Sequence, residues 1–353
     1  MIRAMRMTGD EIQFMSRALA CAAKGEGKTR PNPPVGAVVV KGGRIIGEGW
    51  HRRCGGDHAE AAALKSALRR AGAKAVQGSS VYVTLEPCSK PGRVGACCDA
   101  LIAAGVGKVV WAVPDPNPKN RGGAARRLIS AGIAVDCWSA GAAARKDEAK
   151  RALIESARSL IAPFAKHVTT GLPYVTVKLA MSLDGRICDE CGESKWISSA
   201  AARRATGAYR SRADVVMVGA ETVRRDNPSL LCHQRRNDDL WRAVVSRSGR
   251  LPKNAQIFTD AASNRTLVYR DAVEAVSDLG RRGFLHVFCE GGLGLARALA
   301  DAGLVDQWIA VRAPIVIGGK PLAQALRFEA MRRASSNSRA DDIIDVYARN
   351  IMV

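Results

Sequence analysis

Apolar residues along the first 140 positions switch between two periods, and each switch marks an element. "MIRAMRMTGDEIQFMSRALACAAKG" keeps a helical apolar stripe broken by charges every few residues, and "PVGAVVVKGGRIIGEGW" follows as two β-rich runs joined at Gly42-Gly43, a hairpin signal. Ala61, Ala62, Leu64, Ala67 and Leu68 then recur at helical spacing, with Lys65, Arg69 and Arg70 facing away. "SSVYVTLEP" reads as a strand, "CCDALIAAG" as a helix closed by Gly105, "KVVWAVPDPNP" as a strand, "GAARRLISAG" as a helix and "IAVDCW" as a strand. Such alternation predicts a layered α/β domain with a largely parallel sheet after the hairpin, and ligands gather at the carboxyl ends of such strands.

A charged helix from about Ala142 to Ile161 leads into "APFAKHVTTGLP", whose prolines and glycine are expected to end it. This divides the chain into residues 1–145, a linker helix and connector over 146–171, and residues 172–353. The last part shows a second α/β pattern, with strands at "PYVTVKLAMSLDG", "ADVVMVGA", "WRAVVS", "RTLVYR", "FLHVFCE", "DQWIAVRAPIV" and "DDIIDVYAR" and a helix at "SSAAARRATGAYRSR". A length of 353 residues suits two such domains.

Charge narrows the partners. With 54 Lys plus Arg against 33 Asp plus Glu the chain carries +21, which favours anionic ligands such as phosphate esters, although the basic residues are spread along the chain. Ten cysteines are too sparse for a disulfide scaffold, and the first helix is neither a signal h-region nor a membrane span. A reducing cytoplasm is therefore expected, where clustered Cys and His bind metal or catalyse.

One cluster fits that description. His58 and Glu60 open an apolar helix, where they are either solvated polar residues or a metal ligand and a proton shuttle. Downstream, Cys88 and Cys97 each sit where a strand end meets a helix start, a place that stabilises thiolates. Two thiolates and one imidazole make a three-ligand set for Zn²⁺ with a fourth position open to water. Zinc deaminases carry His-x-Glu and a later Pro-Cys-x-x-Cys, in which the Glu is not a ligand. "HAE" and "PC" match, while the second cysteine stands nine residues after the first. Taken singly, His58 reads as a helix-start polar residue and Cys97 as a small core residue; together the set favours a metal site. "GGLGLA" follows a strand and opens a helix but lacks the full Gly-x-Gly-x-x-Gly fingerprint, which disfavours a Rossmann domain. "CDEC", a lone Cys-x-x-Cys, reads as an incidental loop.

From "RPNPPVGAVVVKGG" through "DHAEAAALKSA" and "VYVTLEPCSKPGRVGACC" to "VPDPNP", residues 8–140 resemble the deaminase half of the bifunctional riboflavin-biosynthesis deaminase-reductases, in which the wider cysteine spacing is characteristic. "VTVKLAMSLDGRI", "GESKWIS", "GAETVRRDNPSL", "CEGGLGLARALADAGLVD" and "APIVIGGK" resemble the reductase half. The resemblance implies a cytidine-deaminase-like three-layer α/β/α domain followed by a dihydrofolate-reductase-like α/β domain. It also implies zinc on His58, Cys88 and Cys97, Glu60 as proton shuttle, and Cys98 outside the metal set. Asn32, His51, Arg93, Asp115 and Asn117 are then substrate contacts of the deaminase. In the reductase half it implies Lys178 at the reaction centre and Ser194, Arg210, Leu230 and Glu290 on the substrate. NADPH falls along Met181, Trp196, Thr222, Asp226, Gly292, Gly294 and Ala298.

The implied reactions are zinc-dependent deamination of 2,5-diamino-6-(5-phosphoribosylamino)pyrimidin-4(3H)-one and NADPH-dependent reduction of the ribosyl side chain of the product. The expected partner is thus a phosphoribosylated aminopyrimidine, without nucleic acid or membrane, in a homo-oligomer. There are departures from the family pattern. "SKPGRVGA" replaces a loop that usually reads close to "SHHGRTPP", His233 stands for a usual arginine, Ser246 stands for a usual acid, and the stretch 250–282 is short. They leave open a weakened reductase serving as scaffold, and the shared signature leaves open a nucleic-acid deaminase.

Overall fold

The computed structural model describes residues 2–91, 95–140, 147–192, 195–232, 240–318 and 331–349, and the chain divides into two compact units, Met1–Thr169 and Thr170–Met352. In the first, β1 (Gly36–Lys41) and β2 (Arg44–Trp50) form the expected hairpin, with Gly42 and Gly43 at φ 54° and 74° as a primed two-residue turn requires. The five-stranded order is β2-β1-β3-β4-β5, where β3 (Ser80–Leu85), β4 (Lys108–Val113) and β5 (Ala134–Cys137) run parallel. Strand alternation separates two cores. Val38, Val40, Tyr82 and Val110 face the helices Ile2–Ala22 and Glu148–Thr170, whereas Val39, Val81, Val83 and Trp111 face the helices Ala59–Ala71, Cys97–Ala103 and Gly123–Ser130.

The sequence expects a linker helix and connector over 146–171. The described part of this stretch is one helix, Glu148–Thr170, which runs through Pro163, and Ile154, Ala157 and Ile161 are buried with Phe14, Met15 and Trp138. It is a layer of the first unit's core.

The helix Ala59–Ala71 lies unusually close to β2. A Cβ at Gly47 would stand 2.6 Å from the Ala67 Cβ, and one at Gly49 would collide with the backbone of Ala59 and Ala63. Two side-chain-free positions therefore let the helix that begins after His58 settle on the sheet.

The second unit holds an eight-stranded sheet, β12-β13-β11-β6-β10-β7-β8-β9. Five central strands run parallel: β6 (Tyr174–Met181), β7 (Val215–Gly219), β8 (Trp241–Val245), β9 (Thr266–Tyr269) and β10 (His286–Cys289). Next to β6 come β11 (Gln307–Arg312), parallel to it, and antiparallel β13 (Asp342–Arg349). Val175, Val215, Met217 and Val287 pack under the helices Ala272–Arg281 and Leu293–Asp301, while Phe288, Ile309 and Val311 pack against the helix Ala200–Arg210. Asp271 starts the Ala272–Arg281 helix by accepting from the amides of Val273 and Glu274.

All seven strands expected for this half form. An eighth, β12 (Met331–Arg339), was not expected, because its side chains are almost all exposed and leave no apolar alternation to detect. Main-chain pairing with β13 creates it, and its arginines keep the edge polar.

Two tests follow from this packing. Gly49→Ala forces a methyl group into the helix backbone and should lower the first unit's unfolding free energy by about 1–3 kcal/mol, read by denaturant titration. His286 shares a 2.9 Å hydrogen bond with the Thr176 hydroxyl, and burial pulls its pKa from 6.5 to about 4. An unfolded chain takes up that proton near pH 6.5 and the folded unit only near 4, so stability is complete above pH 6.5 and is lost as the pH falls toward 4. His286→Gln should flatten the second unit's stability over that window by roughly 2–3 kcal/mol, measured as unfolding free energy against pH.

Candidate active sites

Three separate elements supply the clustered ligands of the first unit. His58 stands immediately before the helix Ala59–Ala71 with extended backbone, Cys88 lies in the loop after β3, and Cys97 opens the helix Cys97–Ala103. Their ligand atoms all lie within 4.8 Å of one another, and among the described residues no other group of three or more His, Cys, Asp or Glu could hold a metal ion. His58 Nδ1 is 3.2 Å from Cys97 Sγ and 3.5 Å from Cys88 Sγ, and the Cys97 amide donates to Cys88 Sγ at 3.2 Å. Hydrogen bonding from Cys97 and His58 pulls the Cys88 thiol down to about 4, while the Cys97 thiol, facing that thiolate in a buried place, is pushed up. One imidazole and two closely spaced sulfurs form a donor set that a divalent cation would complete, and it fits Zn²⁺.

Glu60, only 3% exposed in the first helical turn, has its carboxyl raised to about 7, first by burial and then by the charge on Cys88. That is the range of a group able to take and return a proton near neutrality. Cys98 points the other way, into the core with Ala63 and Leu101, and burial pushes its thiol up to about 12.

Asn32 and His51 meet beside the ligands. The Asp57 carbonyl can only accept, so His51 Nδ1 donates to it at 2.9 Å, which leaves Nε2 to accept from the Asn32 side-chain amide at 3.0 Å. The His51 ring stands edge-on to that of His58 with centroids 5.3 Å apart, and burial keeps it neutral by lowering its pKa.

Asp115 is buried and fully engaged. Its Oδ1 accepts from the Asn117 amide at 2.8 Å and its Oδ2 from Asn120 Nδ2 at 2.6 Å, while Asn120 Oδ1 accepts from the Ser89 amide at 3.0 Å. The carboxylate of Glu86, also buried, receives the amides of Asp115 at 3.1 Å and Ala124 at 3.3 Å. Glu86, Asp115 and Asn120 thus steer the loop beyond Cys88, and neither Glu86 nor Asn120 stood out in the sequence; "LEPC", an acid at a strand end before a cysteine, was the available signal. Asn117 is half-buried, with its side chain accepting from the Lys119 amide. Arg93 lies outside the described residues.

In the second unit a cavity of about 1390 Å³ opens at the carboxyl ends of the parallel strands, lined by Lys178, Trp196, Arg210, Thr222, Asp226, Leu230, Glu290, Gly292, Gly294 and Ala298 among others. Lys178 projects from β6, and burial holds its ammonium below the usual range. Arg210 Nε and Nη2 both bind Glu290 Oε2, at 2.8 and 2.6 Å, and its Nη1 reaches the Leu231 carbonyl at 3.4 Å. At the start of the helix Leu293–Asp301, a Cβ on Gly292 or Gly294 would meet nothing within 4 Å. That open cradle before free helix amides suits a phosphate.

Arg203, Arg225, Arg247 and Arg270 also line the cavity, and no single motif pointed to them. Trp196 is 67% exposed, with the Arg203 guanidinium 4.2 Å above its ring. The donor set and the cradle fit a phosphorylated dinucleotide. Met181, expected along the cofactor, is not among the lining residues and packs against the main core. Ser194 and His233 lie outside the described residues, and Ser246 is buried at the end of β8 with no hydrogen-bond partner for its hydroxyl among them. Cys188 and Cys191 of the "CDEC" loop face the cavity.

Two family models match the chain, the cytidine and deoxycytidylate deaminase zinc-binding region over residues 8–113 and the RibD C-terminal domain over residues 173–344. Riboflavin biosynthesis protein RibD of Escherichia coli is 36% identical over 341 residues, covering 86% of this chain and 88% of that protein. The protein of the same name from Mycobacterium tuberculosis is 38% identical over 322 residues, covering 89% of each. Among solved structures, the diaminohydroxyphosphoribosylaminopyrimidine deaminase/5-amino-6-(5-phosphoribosylamino)uracil reductase of Thermotoga maritima is 30% identical with a TM-score of 0.84, covering 97% of this chain and 99% of that one. RibD of Acinetobacter baumannii, 33% identical, gives a TM-score of 0.78 with the same coverage.

Proposed function

The chain belongs to the RibD family, and from that premise we propose how its residues divide two reactions between the two units. It is a bifunctional enzyme of riboflavin biosynthesis, a zinc-dependent deaminase joined to an NADPH-dependent reductase. The nucleic-acid deaminase alternative is not favoured, since it leaves the second unit without a role.

In our reading His58, Cys88 and Cys97 hold the zinc, and the trio's 4.8 Å grouping with Glu60 buried beside it is the observation that carries the assignment. Zinc, when bound, supplies the Lewis acidity that makes water nucleophilic at neutral pH. Glu60 takes the proton of the attacking water on its carboxylate and returns it to the departing amine. Its burial keeps the carboxyl close to neutrality in pKa, as a two-way proton carrier needs. Asn32 and neutral His51 orient the aminopyrimidine by its ring edge. Arg93 and Asn117 contact the phosphoribosyl group, and Asp115 acts chiefly by holding the loop that carries Asn117 and Ser89. The substrate is 2,5-diamino-6-(5-phosphoribosylamino)pyrimidin-4(3H)-one.

In the second unit NADPH, when bound, supplies a hydride to the ribosyl carbon of 5-amino-6-(5-phosphoribosylamino)uracil. Lys178, with its ammonium destabilised by burial, gives a proton to the ribosyl oxygen. Arg210, Glu290, Leu230 and Ser194 seat the pyrimidine, and the ion pair holds Arg210 and Glu290 together in the cavity lining. Gly292, Gly294 and Ala298 leave room for phosphates, with Trp196, Thr222 and Asp226 along the nucleotide; Met181 supports that wall from the core side. We place the enzyme in the cytoplasm as a homo-oligomer; among the described residues no helix is long and apolar enough to cross a membrane.

Glu60→Gln should retain zinc and lower ammonia release by about 10²–10⁴-fold, while NADPH oxidation with 5-amino-6-(5-phosphoribosylamino)uracil continues. Near-normal ammonia release in that variant would remove Glu60 from the mechanism. Metal analysis offers an independent check: Cys97→Ser should purify without zinc and Cys98→Ser with it, and the reverse result would mean that the wrong cysteine has been assigned.

A further inference from the structure

The wall of the reductase cavity includes Pro228, Leu230, Leu231 and Cys232, part of a 227–232 segment whose backbone is unusual. Asn227 and Leu230 adopt φ values of 42° and 58°, in the left-handed region that non-glycine residues rarely occupy. Such conformations persist only where the surroundings over-determine them. Three contacts do so. Asn227 Oδ1 accepts from the Gln256 amide at 2.7 Å, the Leu230 side chain is buried among Val218, Leu240 and Ile257, and the Ser229 carbonyl accepts from Arg242 at 2.9 Å.

Arg242 does not touch the cavity. It sits on β8 with no solvent exposure and makes five hydrogen bonds, as many as a guanidinium has N–H groups. Nε donates to Thr266 Oγ1 at 3.0 Å; Nη1 donates to the Ser229 carbonyl and to Asp260 Oδ2 at 2.6 Å; Nη2 donates to the Ile257 carbonyl and to Asp260 Oδ1, both at 2.8 Å. Its partner Asp260 is 16% exposed, and an ion pair with one fully buried member adds little stability over packed apolar residues of similar volume, so its presence calls for another gain. The fork ties three chain segments to β8, at Ser229, at Ile257 and Asp260, and at Thr266, and the one that lines the cavity is the loop holding Ser229.

We propose that Arg242 is the positioning residue of the pyrimidine-binding wall. From behind the cavity its guanidinium fixes the Ser229 carbonyl, and this sets the strained backbone of the wall, with Leu230 anchored in the core and Leu231 following it. Arg210 holds the same loop from the cavity side through the Leu231 carbonyl. The inference rests on the reductase reading of this cavity.

Arg242→Lys keeps the charge opposite Asp260 but cannot supply the planar fork. Arg242→Met combined with Asp260→Leu exchanges the buried pair for packed apolar side chains, a replacement that buried pairs tolerate, and covers the case in which the lysine variant does not fold. In the full-length chain, folded variants should raise KM for 5-amino-6-(5-phosphoribosylamino)uracil on the order of tenfold or more. KM for NADPH should stay within about twofold, as should ammonia release by the other unit. Hydrogen–deuterium exchange should accelerate in the 227–232 segment and remain unchanged in β6 and β10. A folded variant with unaltered exchange at 227–232, or with both KM values rising together, overturns the proposal. An unmodified chain that oxidises no NADPH would instead sink the reductase reading, and the exchange comparison would still decide whether Arg242 pins the loop.

Discussion

Both candidate sites depend on one geometric constraint, the parallel run of strands that brings strand ends and helix starts to a single edge. In the first unit β3 delivers Cys88 to that edge, while His58 and Cys97 arrive at the first positions of helices. Free amides at these helix starts favour the thiolates that a metal requires, so sulfur chemistry follows from topology. In the second unit the carboxyl edge of its own sheet collects Lys178 from β6, Glu290 after β10 and the glycine cradle that opens the helix Leu293–Asp301. Neither set of residues is contiguous in sequence; the parallel ladder makes each a neighbourhood.

Around these sites, polar groups taken out of water are almost all engaged, and the form of engagement separates their roles. Asp115 and Glu86 hold backbone amides and an asparagine, which makes them structural supports of a loop. Arg242 spends all its donors on carbonyls, a hydroxyl and Asp260. Burial raises the proton affinity of both Glu60 and Asp115, and Glu60 differs in standing beside the sulfur ligands, where a proton can be exchanged. A carboxylate whose oxygens are taken up by an asparagine and backbone amides braces a loop; one standing beside the sulfur ligands is placed to carry a proton. Sequence type alone does not separate the two.

Periodicity disclosed most of the architecture. The Gly42-Gly43 hairpin, the alternating strands and helices after it, and seven strands of the second sheet were legible because a buried face repeats every two residues in a strand and about every 3.6 in a helix. Two elements escaped for physical reasons. β12 is an edge strand bathed in solvent, so it carries no apolar signal, and Pro163 was read as a stop although its helix continues to Thr170. Packing of Ile154, Ala157 and Ile161 on the sheet outweighs the local disruption at that proline.

By itself the sequence determined the order of elements, the two-unit organisation and the chemical kinds of residue available at each turn, since these depend on neighbours a few positions apart. Family likeness added which of them to watch. Tertiary structure decided which residues meet: that Cys97 faces His58 while Cys98 enters the core, that Met181 packs against the second unit's core, and that Asp115 braces a loop. It also decided that Arg242 reaches back to Ser229, a contact no local pattern encodes. Such outcomes depend on the direction of a single side chain and on the dielectric around it, and both exist only once distant segments have packed.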